Sequence, residues 1–448
     1  MTRQAWLVVL ALVVLALAVP LSSAAAQEPL TLDRAVQAAL TQNASLRAAR
    51  AARAEATAQI GETRSGFFPR VTFTESWQRG DQPVFVFSSL LSARRFGADN
   101  FAIDALNHPD PIGFFHGTAG IEQVIVDGGR RRAAADAAGL RRDIAGLAAD
   151  QTAAALALAT TRTFGRGVAA QAARRAADAG IEAAREDLAR AERRRDAGMA
   201  TDADVLDLAV HVADLQQRAI QAGGDGAVAR AELNRLMGVS IERDYQLIEP
   251  AAAEGPSGAA PALDALFAEA DDARPEIRRA AAAEQLAETG RRQARSALIP
   301  QVAAQAGFDV SGTRFTDRAS SWIVGGEVRW SVSLGGAERA QTRAAIEAST
   351  RARAEADDAR SAVHVEVVSA LRRLDAARAR QAVGRAAVDQ ARESQRIIRD
   401  RFDAGLAGIN EVLRASTAVL DAEMQRVSAL VDAMSGDAML RHALGRTR

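Results

Sequence analysis

The sequence predicts a mainly α protein with a transmembrane β portion, built from duplicated long α-helical hairpins and four β-strands per chain. Three observations carry that prediction. Most of the chain occurs twice, its aromatic residues gather in two matching windows of period-two polarity, and a helical run of about 66 residues follows each window.

The repetition is regular. Leu32-Asp33 through Phe68-Pro69 returns as Leu263-Asp264 through Ile299-Pro300 at an offset of 231. Gly128-Gly129, Asp196-Ala197-Gly198, Val205-Leu206 and Gly238 return as Gly335-Gly336, Asp403-Ala404-Gly405, Val412-Leu413 and Gly445 at an offset of 207. The change of offset puts 24 extra residues into the first copy, between Pro69 and Gly128. So long a period marks a duplicated domain half rather than a short solenoid unit. The first repeat is read as 27–237 and the second as 263–448, with a linker at 238–262.

In chain order, Met1 to Ala26 reads as a secretory signal. Arg3 supplies its positive start, Trp6 to Val19 its apolar core and Ala24-Ala25-Ala26 its cleavage site. That apolar run of 14 residues falls short of the roughly 20 a spanning helix needs. A helix is then expected over Leu32 to Thr63, and its copy over Leu263 to Ser296.

The β windows follow, at about 70–127 and 301–333. Nine of the 14 Phe lie from Phe67 to Phe115, two more are Phe308 and Phe315, and Trp77, Trp322 and Trp330 join them. Val302, Ala304, Ala306, Phe308 and Val310 alternate with Gln301, Gln305 and Asp309, and Trp322, Val324, Val328, Trp330 and Val332 alternate with Glu327, Arg329, Ser331 and Ser333. In the first copy Val71, Phe73 and Trp77 oppose Thr72, Thr74, Ser76 and Gln78, but Glu75 intrudes on the apolar side and Thr118 to Val126 alternates poorly. Strands of about ten residues with aromatic ends suit a tilted crossing of a bilayer. The connecting loops differ, Ser311 to Ser321 being short and Gly80 to Gly117 long.

Arg130 to Arg195 and Ala337 to Asp403 read as single helices, each reaching about 100 Å. Leu140, Ile144, Leu147 and Leu158, and in the copy Leu371 and Leu374, form a narrow coiled-coil seam. Each helix ends at a glycine, Gly198 or Gly405. Thr201 with Asp204 makes a capping box for the return helix 202–237, while Gly408 and Glu411 hold those places before the return helix 409–445. The return helices are half as long as the helices they follow, so the first helix of each repeat is expected to stack end to end with them.

Composition removes several function classes. With no cysteine there is no disulfide, thiol nucleophile, thiolate metal site or lipid-accepting thiol. All 56 basic residues are arginine, so P-loop and Schiff-base chemistry lack their lysine. Net charge is zero with acids and bases interspersed, which disfavours nucleic-acid binding. His108 and His116 with Asp104 and Asp110 sketch only a poor metal site on a surface loop. No nucleophile, base and orienter come together, so neither an enzyme nor a cofactor is expected.

The ordered set of motifs resembles the TolC family of outer membrane efflux proteins. The carrying residues are Leu32-Asp33-Arg34-Ala35-Val36 with Asn43 and Leu46, Phe68-Pro69, Val126-Asp127-Gly128-Gly129-Arg130, Ala197-Gly198-Met199-Ala200-Thr201, Asp204-Val205-Leu206-Asp207 and Leu233 to Gly238. The resemblance covers the mature chain and implies a homotrimer in the outer membrane of a Gram-negative bacterium. Three chains would give four strands each to a twelve-stranded barrel, and their helices would form a periplasmic tunnel. It implies passive export, with an inner membrane pump and a periplasmic adaptor as partners and outer membrane lipid around the barrel. Physics separately requires more than one copy, because four strands cannot close a barrel.

By the same resemblance the tunnel entrance falls on Asp204, Asp207, Glu411 and Arg414, where Arg414 departs from the family's acidic pattern. The adaptor-contact tips fall on Gly198, Met199, Ala200 and Thr201 and on Gly405, Leu406, Ala407 and Gly408. Asp204 and Glu411 also have an ordinary role at helix N-termini, worth roughly 0.3–1 kcal/mol. Read without the resemblance, the chain's alternative is a secreted coiled-coil protein or a periplasmic adaptor without a barrel, for which the Phe and Trp windows have no use.

Overall fold

The computed structural model describes residues 28–250 and 262–446. The expected signal at 1–26 and much of the linker at 238–262 lie outside the described residues. Within them the chain forms two compact units. One takes the described residues of Met1–Arg47, Ala153–Ala270 and Glu366–Arg448, and the other Ala48–Thr152 and Asp271–Val365. Each unit thus draws on both copies of the repeat.

The first unit is helical apart from a short parallel pair, β1 (Glu28–Leu30) with β4 (Tyr245–Leu247). Thr31 caps α1 (Leu32–Gln42), accepting from Arg34 N. A single helix over 32–63 was the expectation, but the chain breaks at Asn43, whose backbone is extended, and restarts as α2 (Ala44–Ser65). The break has a physical cause. Asn43 Oδ1 accepts from Ser45 N and Leu46 N, while its Nδ2 donates 2.9 Å to Leu236 O. The second copy breaks at the matching place, between α7 (Leu263–Ala273) and α8 (Pro275–Ser296), because Pro275 at the first helical position holds Arg274 extended.

The long helices are α5 (Arg130–Asp196) and α9 (Ala337–Asp403), each of 67 residues. Their returns are α6 (Asp202–Met237) and α10 (Ile409–Ala443). In the first unit Phe164 and Val168 of α5 pack on Leu233 and Met237 of α6, with Leu30 and Ala35. Gly238 ends α6 at φ +72°, and a Cβ there would lie 2.6 Å from Gln42 O. Only glycine fits both demands.

The second unit holds an antiparallel sheet of order β2-β3-β5-β6. Its strands are β2 (Arg70–Gly80), β3 (Ile112–Val126), β5 (Gln301–Arg314) and β6 (Asp317–Arg329), all long enough to cross a bilayer at a tilt. Pairing puts Val71, Phe73, Trp77, Phe115, Ile121, Ala306, Phe308, Trp322, Val324 and Val328 on one face. The other face carries Thr72, Thr74, Ser76, Gln78, His116, Thr118, Gln305, Asp309 and Ser321. The apolar face is exposed, with Phe73 74% and Trp322 76% accessible. An open face of that kind demands a cover. β2 and β6 are edges with no further strand partner among the described residues.

Two expectations change in detail. β6 stops at Arg329, which pairs with Gln301, the first residue of β5, so Trp330 and Val332 lie beyond the sheet. Glu75 belongs to the apolar face because Arg318 neutralises it. Both of its oxygens lie 3.0 Å from guanidinium nitrogens of Arg318, which in turn sits 4.1 Å over the Phe315 ring. Gly117 makes room for the pair, since a Cβ there would meet Glu75 Oε2 at 2.6 Å. The long loop is ordered, with α3 (Pro83–Ser92), a 3-10 turn (Ala98–Phe101) and α4 (Ile103–Asn107). Among the described residues no helix is long and apolar enough to cross a membrane.

Candidate functional site

The candidate residues from the sequence fall at the two tips of the helical hairpins, in the first unit. Gly198 and Gly405 adopt φ +75° and +74°, turning the chain after α5 and α9. Met199 N donates to Arg194 O and Leu406 N to Arg401 O, both at 2.7 Å, so the two turns share one backbone pattern. Met199 and Leu406 stand exposed at the ends, 70% and 69% accessible.

Side chains at the two tips differ. Asp204 Oδ2 accepts from Thr201 N at 2.9 Å and from Thr201 Oγ1 at 2.8 Å, while Asp204 N donates to Thr201 Oγ1. That reciprocal box ties Asp204 to the cap. Gly408 caps α10 without a side chain, leaving Glu411 exposed in the first turn. Asp207 is exposed one turn into α6. Arg414 donates through Nε to Asn410 O at 3.2 Å and has no carboxylate within ion-pair distance among the described residues. The structure therefore brings Asp204 into a structural bond and leaves Asp207, Glu411 and Arg414 open to water.

Below the tips an apolar knot joins both hairpins: Ala191 of α5, Leu208 of α6, and Ile409 and Val412 of α10, with Phe402 of α9 against them. The Arg194 guanidinium lies 4.9 Å above the Phe402 ring. Asp187 of α5 serves two arginines, Arg190 on its own helix and Arg399 of α9 at 3.7 Å. The hydrogen bond to Asp187 raises the Arg190 pKa above the ordinary arginine value, with burial working against it. Arg218 of α6 reaches Asp421 of α10 at 3.5 Å. Sequence reasoning missed these ties. Phe402 was the available signal, a lone aromatic outside both β windows and three residues before the tip glycine.

His211 of α6 borders a cavity of about 750 Å³ with Asp187, Glu249, Arg392, Arg399 and Arg426. Burial lowers the His211 pKa, so the ring is held towards its neutral form. On the sheet's polar face His116 Nδ1 lies 2.9 Å from Ser311 Oγ, and Thr118 Oγ1 donates to Asp309 at 2.7 Å. Among the described residues no group of three or more His, Asp or Glu side chains is placed to hold a metal ion.

Both halves of the sequence match one family model, described as outer membrane efflux protein, over residues 35–239 and 266–446. A membrane protein from Pseudomonas aeruginosa superposes with TM-score 0.77 at 20% identity, over 92% of this chain and 93% of that one. The outer membrane channel CmeC of Campylobacter jejuni gives TM-score 0.80 at 15% identity, over 93% and 86%. The outer membrane protein VceC of Vibrio cholerae gives 0.75 at 18%, over 92% and 96%. At these identities the likeness establishes the fold. No curated protein matches the sequence.

Proposed function

We propose, from the premise that this chain belongs to the outer membrane efflux protein family, that three copies of it close a twelve-stranded barrel and build a passive exit duct. It is an outer membrane efflux channel; its four-stranded sheet requires more than one copy, and the family resemblance makes that number three. The observation that carries this reading is the four-stranded sheet with an exposed apolar face, a polar opposite face and two open edges. Open edges are not tolerated in hydrocarbon, so β6 of one copy pairs with β2 of the next and the polar faces line a water-filled bore.

A periplasmic adaptor meets the tips at Gly198–Thr201 and Gly405–Gly408, and an inner membrane pump supplies the cargo. Asp207, Glu411 and Arg414 set the charge of the entrance, with Asp204 primarily holding its cap. The test is single-channel recording in planar bilayers. Wild-type protein should give discrete conductance steps. Replacing Asp207 and Glu411 by alanine should lower the preference for cations, which a ring of carboxylates creates. No steps from a correctly folded oligomer would refute the duct, and an unchanged ion preference would leave those acids outside the entrance.

A further inference from the structure

We infer that a bare apolar seam on α6 is one half of the contact between copies, and that its other half is a matching bare stripe on α9 of the neighbouring copy. The inference rests on the trimeric reading above and assigns the helix faces which that trimer joins.

α6 carries two seams of heptad spacing. Leu208, Val212, Leu215, Ala222, Ala229 and Leu233 are buried. Beside them Leu206, Val210, Ala213, Ile220, Gly224 and Ala227, broken only by Gln217, advance in the same steps of four and three and are exposed throughout. Ile220 is 76% and Val210 68% accessible. A helix apolar on two sides has two partners.

The second repeat shows what covers such a seam. The same positions on α10, 207 residues on, include Leu413, Leu420, Met424, Val427, Val431 and Met434. There Leu413 packs with Ala191 and Leu208, and Leu420 with Ile181 and Leu215. Val431 and Met434 press on Gly165, where a Cβ would lie 2.7 Å from Val431 Cγ1. Between these points Ala169, Ala172 and Ala176 of α5 line one cavity with Leu420, Met424 and Val427. The second return helix therefore lies along the long helix of the first repeat.

The reciprocal joint is open. On α9 the counterparts of Gly165, Ala169, Ala172 and Ala176 are Arg372, Ala376, Ala379 and Val383, and all four are exposed. One chain thus closes one joint of this kind and presents both halves of the other. Halves that do not meet within a chain meet between chains, and a head-to-tail contact of this kind closes into a ring.

Sizes across the open joint are complementary. Where the closed joint sets Gly165 against Val431, the open one sets Arg372 against Gly224. A glycine inside a helix costs about 1 kcal/mol relative to alanine, yet a Cβ on Gly224 would meet nothing within 4 Å in its own chain. The stem of the neighbour's Arg372 occupies that place, while its guanidinium keeps to Asp375, 3.7 Å away. One turn along, Ala376 opposes Ile220 as Ala169 opposes Val427.

With no native cysteine, cross-linking reads the joint directly. Chains carrying I220C alone and A376C alone, expressed together and oxidised in membranes, should give a disulfide-linked pair. L206C, about 21 Å further along α6, should give none with A376C. Gly224→Leu should lower the trimer fraction about tenfold or more, and adding Arg372→Ala should restore it. Native mass of the wild type is read first: a monomer overturns the channel reading and the seam with it. A trimer in which I220C and A376C stay unlinked, or in which Gly224→Leu assembles as wild type does, overturns the seam alone.

Discussion

The two copies of the repeat share their backbone turns and differ in what they hang on them. Gly129 and Gly336 are both left-handed, at φ +85° and +74°, as are Gly198 and Gly405, and Gly238 and Gly445 at +72° and +73°. Around these fixed points the side chains have diverged. The first copy caps its second helix with Asn43, and the second uses Pro275. The first return helix has the Thr201–Asp204 box where the second has bare Gly408. The first β-hairpin carries a helical loop, but the second turns tightly between Arg314 and Asp317. Positions whose backbone admits only glycine stayed fixed, while caps and loops, which have several chemical solutions, did not.

Matched substitutions in the two copies probe that divergence. The largest difference is expected after β3. A Cβ on Gly128, at φ +64°, would lie 2.9 Å from the Ile299 Cβ and 3.1 Å from Ser296 O, whereas its counterpart Gly335 has an ordinary φ and only Ser333 Oγ nearby at 3.8 Å. Gly128→Ala should destabilise the protein by about 2–4 kcal/mol, and Gly335→Ala by under about 0.5. Denaturant midpoints of the helical circular dichroism signal measure both, and equal losses would remove the asymmetry.

Next is the charge on the lipid-side face, which the second copy lacks because Ala306 stands in the place of Glu75. Glu75→Ala strands Arg318 and should destabilise the folded protein by about 1–3 kcal/mol. Adding Arg318→Met should recover most of that loss, and a double variant as weak as the single would show that the two residues act separately. At the tips, Thr201→Ala should cost about 0.5–2 kcal/mol, while Gly408→Ser should add a few tenths. Thermal midpoints moving the same way in both would contradict the capping difference.

The smallest effect concerns pH. Asp127, whose counterpart is Leu334, is partly buried, which alone raises a carboxyl pKa. Hydrogen bonds from the Arg131 backbone and side chain and from Gly129 outweigh this, and its pKa lies below the ordinary value. Its stabilisation is complete above the unfolded carboxyl pKa of about 3.9 and is lost as pH falls through the lowered folded value. Asp127→Asn should therefore reduce stability at neutral pH and flatten the loss on acidification. A variant with the wild-type acid slope would assign that slope to other carboxylates.

Element order, the strand windows and the long helices were legible in the sequence because glycine, proline and polarity period are local signals. Asn43 carries a local cap, its Oδ1 accepting from Ser45 N and Leu46 N, which the unbroken helical run obscured, while its bond to Leu236 O lies far away in sequence and was not legible. The Arg274-Pro275 break is plain in the sequence and stands at the repeat position of Asn43, so it marks both breaks despite the helical run. Helix α3 escaped because Pro83 to Ser92 is short and, apart from Ser88, Ser89 and Ser92, apolar, with no charged residue to mark a solvent side. Glu75 looked anomalous until Arg318, 243 residues on, came beside it. At the tips the candidate residues were found through glycines, whereas the Arg194–Phe402 and Asp187–Arg399 ties depend on two helices meeting.

The most direct test is the environment of single spin labels along β6 in reconstituted membranes. Labels at Trp322, Val324 and Val328 should be reached by oxygen dissolved in lipid, and labels at Ser321, Gly325 and Glu327 by a water-soluble relaxation agent, in strict alternation. Six positions equally open to water, or equally shielded from lipid, would contradict a membrane-spanning strand with an aqueous bore on one side.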